Sequence, residues 1–461
     1  MKEPLELTDL QRLLEARRWQ EARELAAEIP APELAESLQE MHKSDRVLVF
    51  RLLPRELAAN VFSYLDAGER DALLVDLTDD ETRQLLANLP PDDRTELLAE
   101  LPGNVTRRLL NLLSPEDRRE ASTLLGYPEN SVGRLMTPAY VSVRPEWTAS
   151  DALRHIRQFG RKSETIDQLY VIRRTGELIG QVDLRGVLLA DPSAKIEDLM
   201  DEQVLSITAD RDREDAVRLV EQYDRNVLAV VSTEGVLLGI VTVDDILDVA
   251  EQEATEDIQK MGGMEALEAP YLDVSFASMV RKRGGWLSAL FLGEMLTATA
   301  MSYFEQEIAA AVVLALFIPL IISSGGNSGS QAASLMIRSL ALEDVRLRDW
   351  WIVFRRELAS GIALGTLLGA IGFLRVVLWQ NLRLTDYGPH YLLVATTIFL
   401  SLIGVVLFGT MTGSMLPFLM RRLGFDPAAS SAPFVATLVD VTGLVIYFSI
   451  AHMVLSRTLL P

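Results

Sequence analysis

The sequence predicts a multi-domain chain: an α-solenoid N domain, a duplicated α/β unit, a long acidic connecting helix, and a polytopic α-helical membrane domain with five transmembrane helices. Three observations carry this. Apolar residues recur every twelve positions through the first 130 residues, one strand–helix–strand–strand–helix pattern occurs twice before residue 250, and five apolar runs fill the remainder. The expected domains are 1–130, 131–197, 198–250, a connecting segment at 246–283, and a membrane part at 284–461.

In the first domain Ile29, Met41, Leu53, Leu65, Leu77, Leu89, Leu101, Leu113 and Leu125 are spaced by twelve. The next residue is usually Pro, Asp, Thr or Ser, which start helices at N1 or at the N-cap. Each unit, such as PDDRTELLAEL, reads as a short helix. Such helices stack into an α-solenoid in which each unit covers its neighbour's apolar face.

From Ser131 the pattern changes. MTPAYVSVRPEWTASDALRHI and QLYVIRRTGELIGQVDL are followed by MDEQVLSITADRDREDAVRLVEQY and NVLAVVSTEGVLLGIVTVDDILDV, in the same order. Gly176 and Gly235 sit in the strand–turn–strand pairs, where a positive φ is needed. The duplicated unit resembles a tandem pair of CBS domains, a module that usually senses a ligand. In that family a G-x-x-T-x-x-D run often holds a nucleotide's ribose and phosphate. The second copy has it as Gly239, Thr242 and Asp245; the first departs, with Asp183 and Gly186 in GQVDLRG. The resemblance implies one site for ATP or another adenine nucleotide, with a purely structural pair as the alternative.

The segment ILDVAEQEATEDIQKMGGMEAL reads as a helix with Ile246, Val249, Ala250, Ala254, Ile258 and Met261 on one side and Asp248, Glu251, Glu253, Glu256 and Asp257 on the rest. Gly262 and Gly263 end it.

Charge is unevenly spread. Beyond Gly284 there are ten acids, ten arginines and no lysine, so the net −21 lies wholly in the front part. That balance argues against nucleic acid, whose phosphates need basic side chains to displace counterions. With no cysteine and only four histidines, disulfides and thiolate sites are excluded and zinc is disfavoured. Oxygen ligands remain, suited to Mg²⁺, Ca²⁺ or Mn²⁺. The opening MKEPLELTDLQRLLEARRWQ has no apolar core, so no signal peptide is expected.

The apolar runs are roughly 285–304, 308–338, 354–380, 391–420 and 433–456, each near the ~20 residues that a bilayer core requires. Arg281, Lys282 and Arg283 precede the first. Arg338, Arg346, Arg348, Arg355 and Arg356 surround the second loop, and Arg421 and Arg422 end the fourth run. The positive-inside bias puts the N-terminal part in the cytoplasm and the C-terminus outside a cell (inner or plasma) membrane. Arg375 and Arg383 in the third loop weaken the bias without reversing it.

Polar residues inside the spans are costly unless they face protein or water. The second span carries SSGGNSGSQAAS; its Gly325, Gly326 and Gly329 permit close backbone approach and local helix opening. Asn327, Ser330 and Ser334 fall on one face at i, i+3 and i+7. The fifth span holds Asp440 between Thr437 and Thr442, and Pro417 and Pro433 are expected to add kinks. A carboxylate with hydroxyl and amide oxygens suits a hydrated hard cation, and Mg²⁺ keeps its waters. One acid matches a divalent ion poorly, so a homodimer with its pore on the two-fold axis is expected to bring two copies of Asp440 to one ion. The alternative for Asp440 is a packing hydrogen bond. Glu294 is a second mid-span acid that either lines a path or bonds to nearby threonines. Glu357 reads as structural beside Arg355 and Arg356, and His452 as interfacial.

At this point the chain resembles the MgtE family of magnesium channels over nearly its whole length. GGNSGSQAASLMIRSLA, RRLGFDPAASSAPFVATLVDVTGL and ATEDIQKMG carry the resemblance. It implies that Asp440 selects the ion, with Ala436, Ser330 and Ser334 lining the pore. It also implies that the connecting helix is a plug held by Mg²⁺ among Asp92, Asp245, Asp248, Glu253, Glu256, Asp257 and Asp426. The family often has Asn where Ser330 stands. The resemblance implies a channel and not an enzyme; a CBS-regulated secondary transporter coupled to H⁺ or Na⁺, using Glu294, is the competing expectation.

Overall fold

The computed structural model describes residues 10, 12–14, 16–267, 271, 272, 274–456 and 458. Residues 1–9, 11 and 15 of the opening stretch read for a signal peptide lie outside them. The chain divides into two compact units, residues 1–252 and 253–461.

The first unit begins with α1 (Trp19–Glu28), α2 (Ala31–Glu40), α3 (Lys43–Leu52), α4 (Arg55–Ser63), α5 (Ala67–Asp76), α6 (Asp79–Asn88), α7 (Pro91–Glu100), α8 (Gly103–Leu112) and α9 (Pro115–Leu124). The twelve-residue spacing marks helix ends: Ile29, Met41, Leu53, Leu77, Leu89, Leu101, Leu113 and Leu125 are C-caps. An extended residue closes most helices, and its side chain is buried in one continuous core. Capping does what the sequence suggested. The Thr78 hydroxyl accepts from the Glu81 amide while the Glu81 carboxylate accepts from Thr78, and Ser114 caps α9. Contrary to simple stacking, several helices pack on the next but one: α1 on α3, α2 on α4, α4 on α6, α6 on α8 and α7 on α9. Two ion pairs thirty positions apart add to this: Arg70–Glu100 ties α5 to α7, and Arg51–Glu81 ties α3 to α6. The reason is the extended link: it turns the chain so sharply that consecutive helices face different layers.

After α10 (Val132–Leu135), two three-stranded sheets follow. In the first, β1 (Ser142–Val143) runs parallel to β2 (Gln168–Ile172), which pairs antiparallel with β3 (Leu178–Asp183). In the second, β4 (Ser206–Thr208), β5 (Val227–Val231) and β6 (Leu237–Thr242) repeat that order. The helices α11 (Ala149–Phe159) and α14 (Arg213–Tyr223) cross between strands, and α12 (Leu184–Leu189) and α13 (Ile196–Leu199) link the halves. Gly176 and Gly235 have φ of +88° and +80°, as the turns require. The two turns also bond each other: the Leu178 amide donates to the Gly235 carbonyl at 3.0 Å and the Leu237 amide to Gly176 at 3.1 Å.

The connecting helix, α15 (Val243–Met261), starts directly from β6. Ile246 and Val249 are buried in the core of the second α/β half, whereas Ile258 is 70% exposed, so the apolar stripe is not buried along its whole length. Gly263, at φ +75°, ends the helix as expected.

The second unit holds α16 (Phe276–Tyr303), α17 (Glu305–Ala310), α18 (Val312–Ala315), α19 (Ile318–Ala341), α20 (Trp350–Asn381), α21 (Tyr391–Arg422) and α22 (Ala432–Leu455). Among the described residues, four segments are long and apolar enough to cross a membrane: Val312–Ala341, Leu347–Asn381, Tyr391–Arg422 and Ala432–Leu455. The first expected span, 285–304, is helical within α16 but is not one of the four, its apolar run being diluted by Glu294 and several hydroxyl residues. The expected run 308–338 is interrupted before α19.

Two expectations are corrected. The glycines of SSGGNSGS do not open the helix; α19 runs through them unbroken. They serve close approach instead: a side chain at Gly409 or Gly413 would overlap the carbonyl of Gly325 or Gly329. Gly361, Gly365 and Gly369 do the same where α20 meets α21. Pro417 lies inside α21, but Pro433 starts α22 and kinks nothing.

Candidate functional site

Three groups of polar residues emerge, one in the first unit and two in the second. In the first unit, Asp92 and Asp93 occupy the first turn of α7, and Asp244 and Asp245 the first turn of α15. The fold brings these turns together with Glu164, from the loop before β2. Asp92 is 8% exposed and its Oδ1 has no hydrogen-bond partner. Burial, then the charges of Asp245, Asp93 and Glu164, hold its carboxyl well above the usual range. Burial and Asp244 push Asp245 up to about 7, although its Oδ2 accepts from the Thr242 hydroxyl at 3.0 Å. Burial raises Asp248 as well, with Asp244, Glu251 and Asp93 adding to it. Asp93, Glu96 and Glu164 are raised primarily by burial. Arg70 reaches Asp93 and Glu96 and opposes the rise only in part.

These are like charges crowded into a partly dry space, each disfavouring ionisation of the next. Two helix N-termini aim at them and offset some of the cost. Asp92, Asp245 and Asp248 were legible as candidates. Asp93, Glu96, Glu164 and Asp244 were not singled out; the doublets PDD and VDD, which open helices, were the available signal, and Glu164 had none. Among the described residues no three such side chains stand ready to ligate one ion. All-oxygen donors with an orphaned buried carboxylate oxygen nevertheless fit a hard cation that keeps its water and is contacted through it.

Of the nucleotide candidates, Thr242 and Asp245 bond each other. Gly239 has a structural reason: a β-carbon there would come 2.7 Å from the Thr137 carbonyl, where Thr137 and Ile240 pair backbone to backbone. Asp245 thus belongs to both candidate sites.

In the second unit the end of α15 docks against the start of α16 and the segment before α22. Gly263 packs on Trp286 and Pro433, and Lys282 donates to the Ala266 carbonyl at 2.5 Å. Lys260 pairs with Glu256 and, at 2.6 Å, with Asp426, whose other oxygen accepts from the Ala428 amide at 2.8 Å. Burial opposes charge on Lys260, but Asp426 and Glu256 outweigh it and raise its basicity. Asp257 is pushed up to about 6 by burial and then by Asp426, with Lys260 opposing and Glu253 and Glu256 adding. Four candidate acids, Glu253, Glu256, Asp257 and Asp426, therefore converge around one lysine that sequence reading did not single out.

Within the membrane helices, Asn327 is exposed and Ser330 and Ser334 are half-exposed, while Gly325, Gly326, Ser328 and Gly329 of the same helix are buried. The polar stripe lies on the face of α19 that the chain's other helices cover least. The Ser330 hydroxyl donates to the Ala432 carbonyl at 3.3 Å, the Asn327 amide to Ser323 at 3.5 Å, and Gly326 packs on Ala436. Asp440 is half-buried, one turn beyond Ala436 on α22, with the Glu294 side chain of α16 beside it. The buried Ser328–Thr410 bond at 2.7 Å, joining α19 to α21, was not anticipated.

The family model described as MgtE, divalent cation transporter, matches residues 318–450, and that of the MgtE intracellular N domain matches 29–130. The CBS domain model matches twice, at 132–193 and 196–251. A magnesium transporter MgtE of Thermus thermophilus is 39% identical over 94% of this chain and 95% of its own length. That of Bacillus subtilis is 33% identical over 90% and 92%. Among solved structures, the cytosolic domain of the Mg²⁺ channel MgtE in complex with ATP matches 53% of this chain and 99% of its own, at 36% identity and a TM-score of 0.51. The soluble part of a magnesium transporter matches 54% and 98%, at 29% identity and a TM-score of 0.52.

Proposed function

The chain belongs to the MgtE family and is a membrane-embedded magnesium transporter, not an enzyme; on that premise we propose that it is a Mg²⁺-selective channel for magnesium uptake, shut by cytoplasmic Mg²⁺. The observation that carries the pore assignment is the incompletely covered stripe of Asn327, Ser330 and Ser334, on a helix long and apolar enough to cross a membrane. Polar side chains there do not face lipid without cost. A second copy of the chain, related by a two-fold axis, supplies the missing wall, and a water-filled path runs along it. Asp440 is the selecting carboxylate, with Ala436 beside it, and the two copies match the charge of one hydrated divalent ion. The positive-inside bias supports cytoplasmic N-terminal domains and an external C-terminus.

Gating follows from the two acid groups. Asp92, Asp245 and Asp248 in one, and Glu253, Glu256, Asp257 and Asp426 in the other, repel when unneutralised, which disfavours the compact arrangement. Mg²⁺ supplies positive charge there and stabilises the compact, closed state by mass action. Lys260 already anchors the end of α15 to Asp426, so this helix is poised to act as the plug. Inward passage is favoured by roughly 4.6 kcal/mol per 100 mV for a divalent ion, twice the figure for one charge. The related cytosolic domain solved with ATP supports a nucleotide site near Thr242 and Asp245, where the nucleotide would stabilise the paired α/β halves.

Single-channel recording from patches containing the purified protein tests this reading. Currents should flow at low cytoplasmic Mg²⁺ and stop as it is raised. A fixed stoichiometry between Mg²⁺ and an opposing H⁺ or Na⁺ flux, with no unitary currents, would replace the channel with a coupled transporter.

A further inference from the structure

We propose that a cleft between the helical domain and the first CBS copy binds a small organic phosphate, held by Arg107 and Arg134. The cleft measures about 430 Å³ and is open to solvent. Its walls are the end of α7, the start of α8 and the link that runs from α9 into α10. Pockets for small molecules span about 300–1,000 Å³, so the space suffices for one. Leu98, Leu101, Leu110 and Leu125 make part of the lining apolar, and its charged residues are Arg107, Arg134 and Glu129.

The two arginines differ from their neighbours in what they bond. In a chain with 65 acidic residues against 44 basic ones, a guanidinium has carboxylates to choose from. Other arginines of the solenoid take one: Arg51 pairs with Glu81, Arg70 with Glu100, and Arg94 with Glu120. Arg108, next to Arg107 in the chain, pairs with Asp79 at 2.6 Å. Among the described residues, neither Arg107 nor Arg134 has an ion pair or a side-chain hydrogen bond. The Nε of Arg134 is shut off from solvent and meets no acceptor. A buried charged donor without an acceptor is costly, and an anion accepting from it removes that cost. Glu129, the acid in the lining, is exposed and bonds neither arginine.

The remaining polar groups favour an anion too. The Thr106 hydroxyl lies 3.0 Å from both the Leu98 and the Leu101 carbonyl and donates there, so the acceptors at the end of α7 are satisfied within the protein. Helix α8 starts at Gly103 with no side-chain cap and no acid in its first turn, so its positive end adds to the two arginines. A guanidinium is a planar fork that matches phosphate oxygens in pairs, and two guanidiniums suit a dianion better than a single carboxylate. The leucines accommodate an apolar body attached to the phosphate. Helix α10 opens the segment that matches the first CBS model, 132–193, and packs on α7. An occupant of the cleft therefore joins the helical domain to the first CBS copy.

Hydrogen exchange of the full chain in detergent and EDTA tests this, with inorganic phosphate, phenyl phosphate and phenol as probes at fixed ionic strength. Phenyl phosphate should protect amides in 98–110 and 125–135 together, at concentrations severalfold below those that inorganic phosphate requires, and phenol should protect neither segment. Arg134→Gln and Gly103→Asp should each weaken the apparent affinity by about tenfold or more, the scale of a lost charge-assisted contact. A side chain at Gly103 meets open space, and an acid in a helix's first turn favours the helix, so Gly103→Asp puts a negative charge at the cleft without disturbing the fold. Arg108→Gln, and Asp245→Asn at the candidate nucleotide site, should leave the affinity unchanged. The proposal is overturned if neither phosphate protects the two segments, if phenol protects them as well as phenyl phosphate does, or if protection survives both Arg134→Gln and Gly103→Asp. Loss of binding in Asp245→Asn alone also overturns it, since the phosphate then sits at the nucleotide site.

Discussion

Asp245→Asn should make the metal-free first unit more stable at alkaline pH, although it removes a charge that hydrogen-bonds Thr242. Asp245 is held at about 7 against an ordinary 3.8, by burial and then by Asp244. A carboxyl whose folded value is raised binds its proton more tightly when folded, so folding stability is lost as pH rises from about 4 through about 7. That gap corresponds to as much as ~4 kcal/mol. The Asn side chain never ionises, so the cost disappears, less the ~1 kcal/mol of a weakened hydrogen bond. At pH 5 the variant and native protein should differ little; at pH 8 in EDTA the variant should be the more stable. Saturating Mg²⁺ should narrow the difference, because binding at a hundredfold excess over Kd contributes ~2.7 kcal/mol to the native protein. Hydrogen exchange of amides in 91–100 and 243–252 of the full chain, corrected for intrinsic rates at each pH, reads this directly. Equal or lower protection of the variant at pH 8 without metal would refute the idea that like-charge crowding sets the metal-free state.

The second acid group should respond to pH in the same direction. Asp257, raised to about 6 by burial and Asp426, stays protonated in the folded chain at pH 5. Limited proteolysis of 246–267 without Mg²⁺ should therefore slow as pH falls from 7 to 5, and adding Mg²⁺ at pH 7 should slow it likewise; protection that Mg²⁺ does not raise would contradict the sensor. Lys260→Gln removes the cation shared by Glu256 and Asp426 and should leave the segment more readily cleaved without Mg²⁺, with a larger protection on adding it. Gly413→Ala should lower thermal stability in detergent by about 1–3 kcal/mol through overpacking against Gly329, whereas Gly284→Ala, with open space around it, should not.

Much of the architecture could be read from residue spacing, because the twelve-residue period marks a local event, the extended C-cap that closes most helices. Which helices then pack together could not, since alternate contact depends on the angle of that link. The α/β duplication was legible because strands, turns and helices repeat locally, down to Gly176 and Gly235. The carboxylate cluster was only half legible: Asp92, Glu164 and Asp245 are far apart in the chain and meet only through the fold. Lys260 was overlooked because a basic residue in an acidic helix reads as ordinary i,i+4 pairing with Glu256, until Asp426 is found beside it. The glycines of α19 read both as points of close approach and as a helix opening; the facing Gly409 and Gly413 bear out the first, and the unbroken helix overturns the second. Asp440 was conspicuous as a carboxylate in an apolar run; its contact with Glu294 required two helices.

The central claim is that Asp440 selects the ion, and Mg²⁺ flux through Asp440→Ala in proteoliposomes tests it most directly. With folding verified, the account predicts that Mg²⁺ entry is lost, or that discrimination against monovalent ions collapses. Flux and selectivity equal to those of the native protein would contradict it.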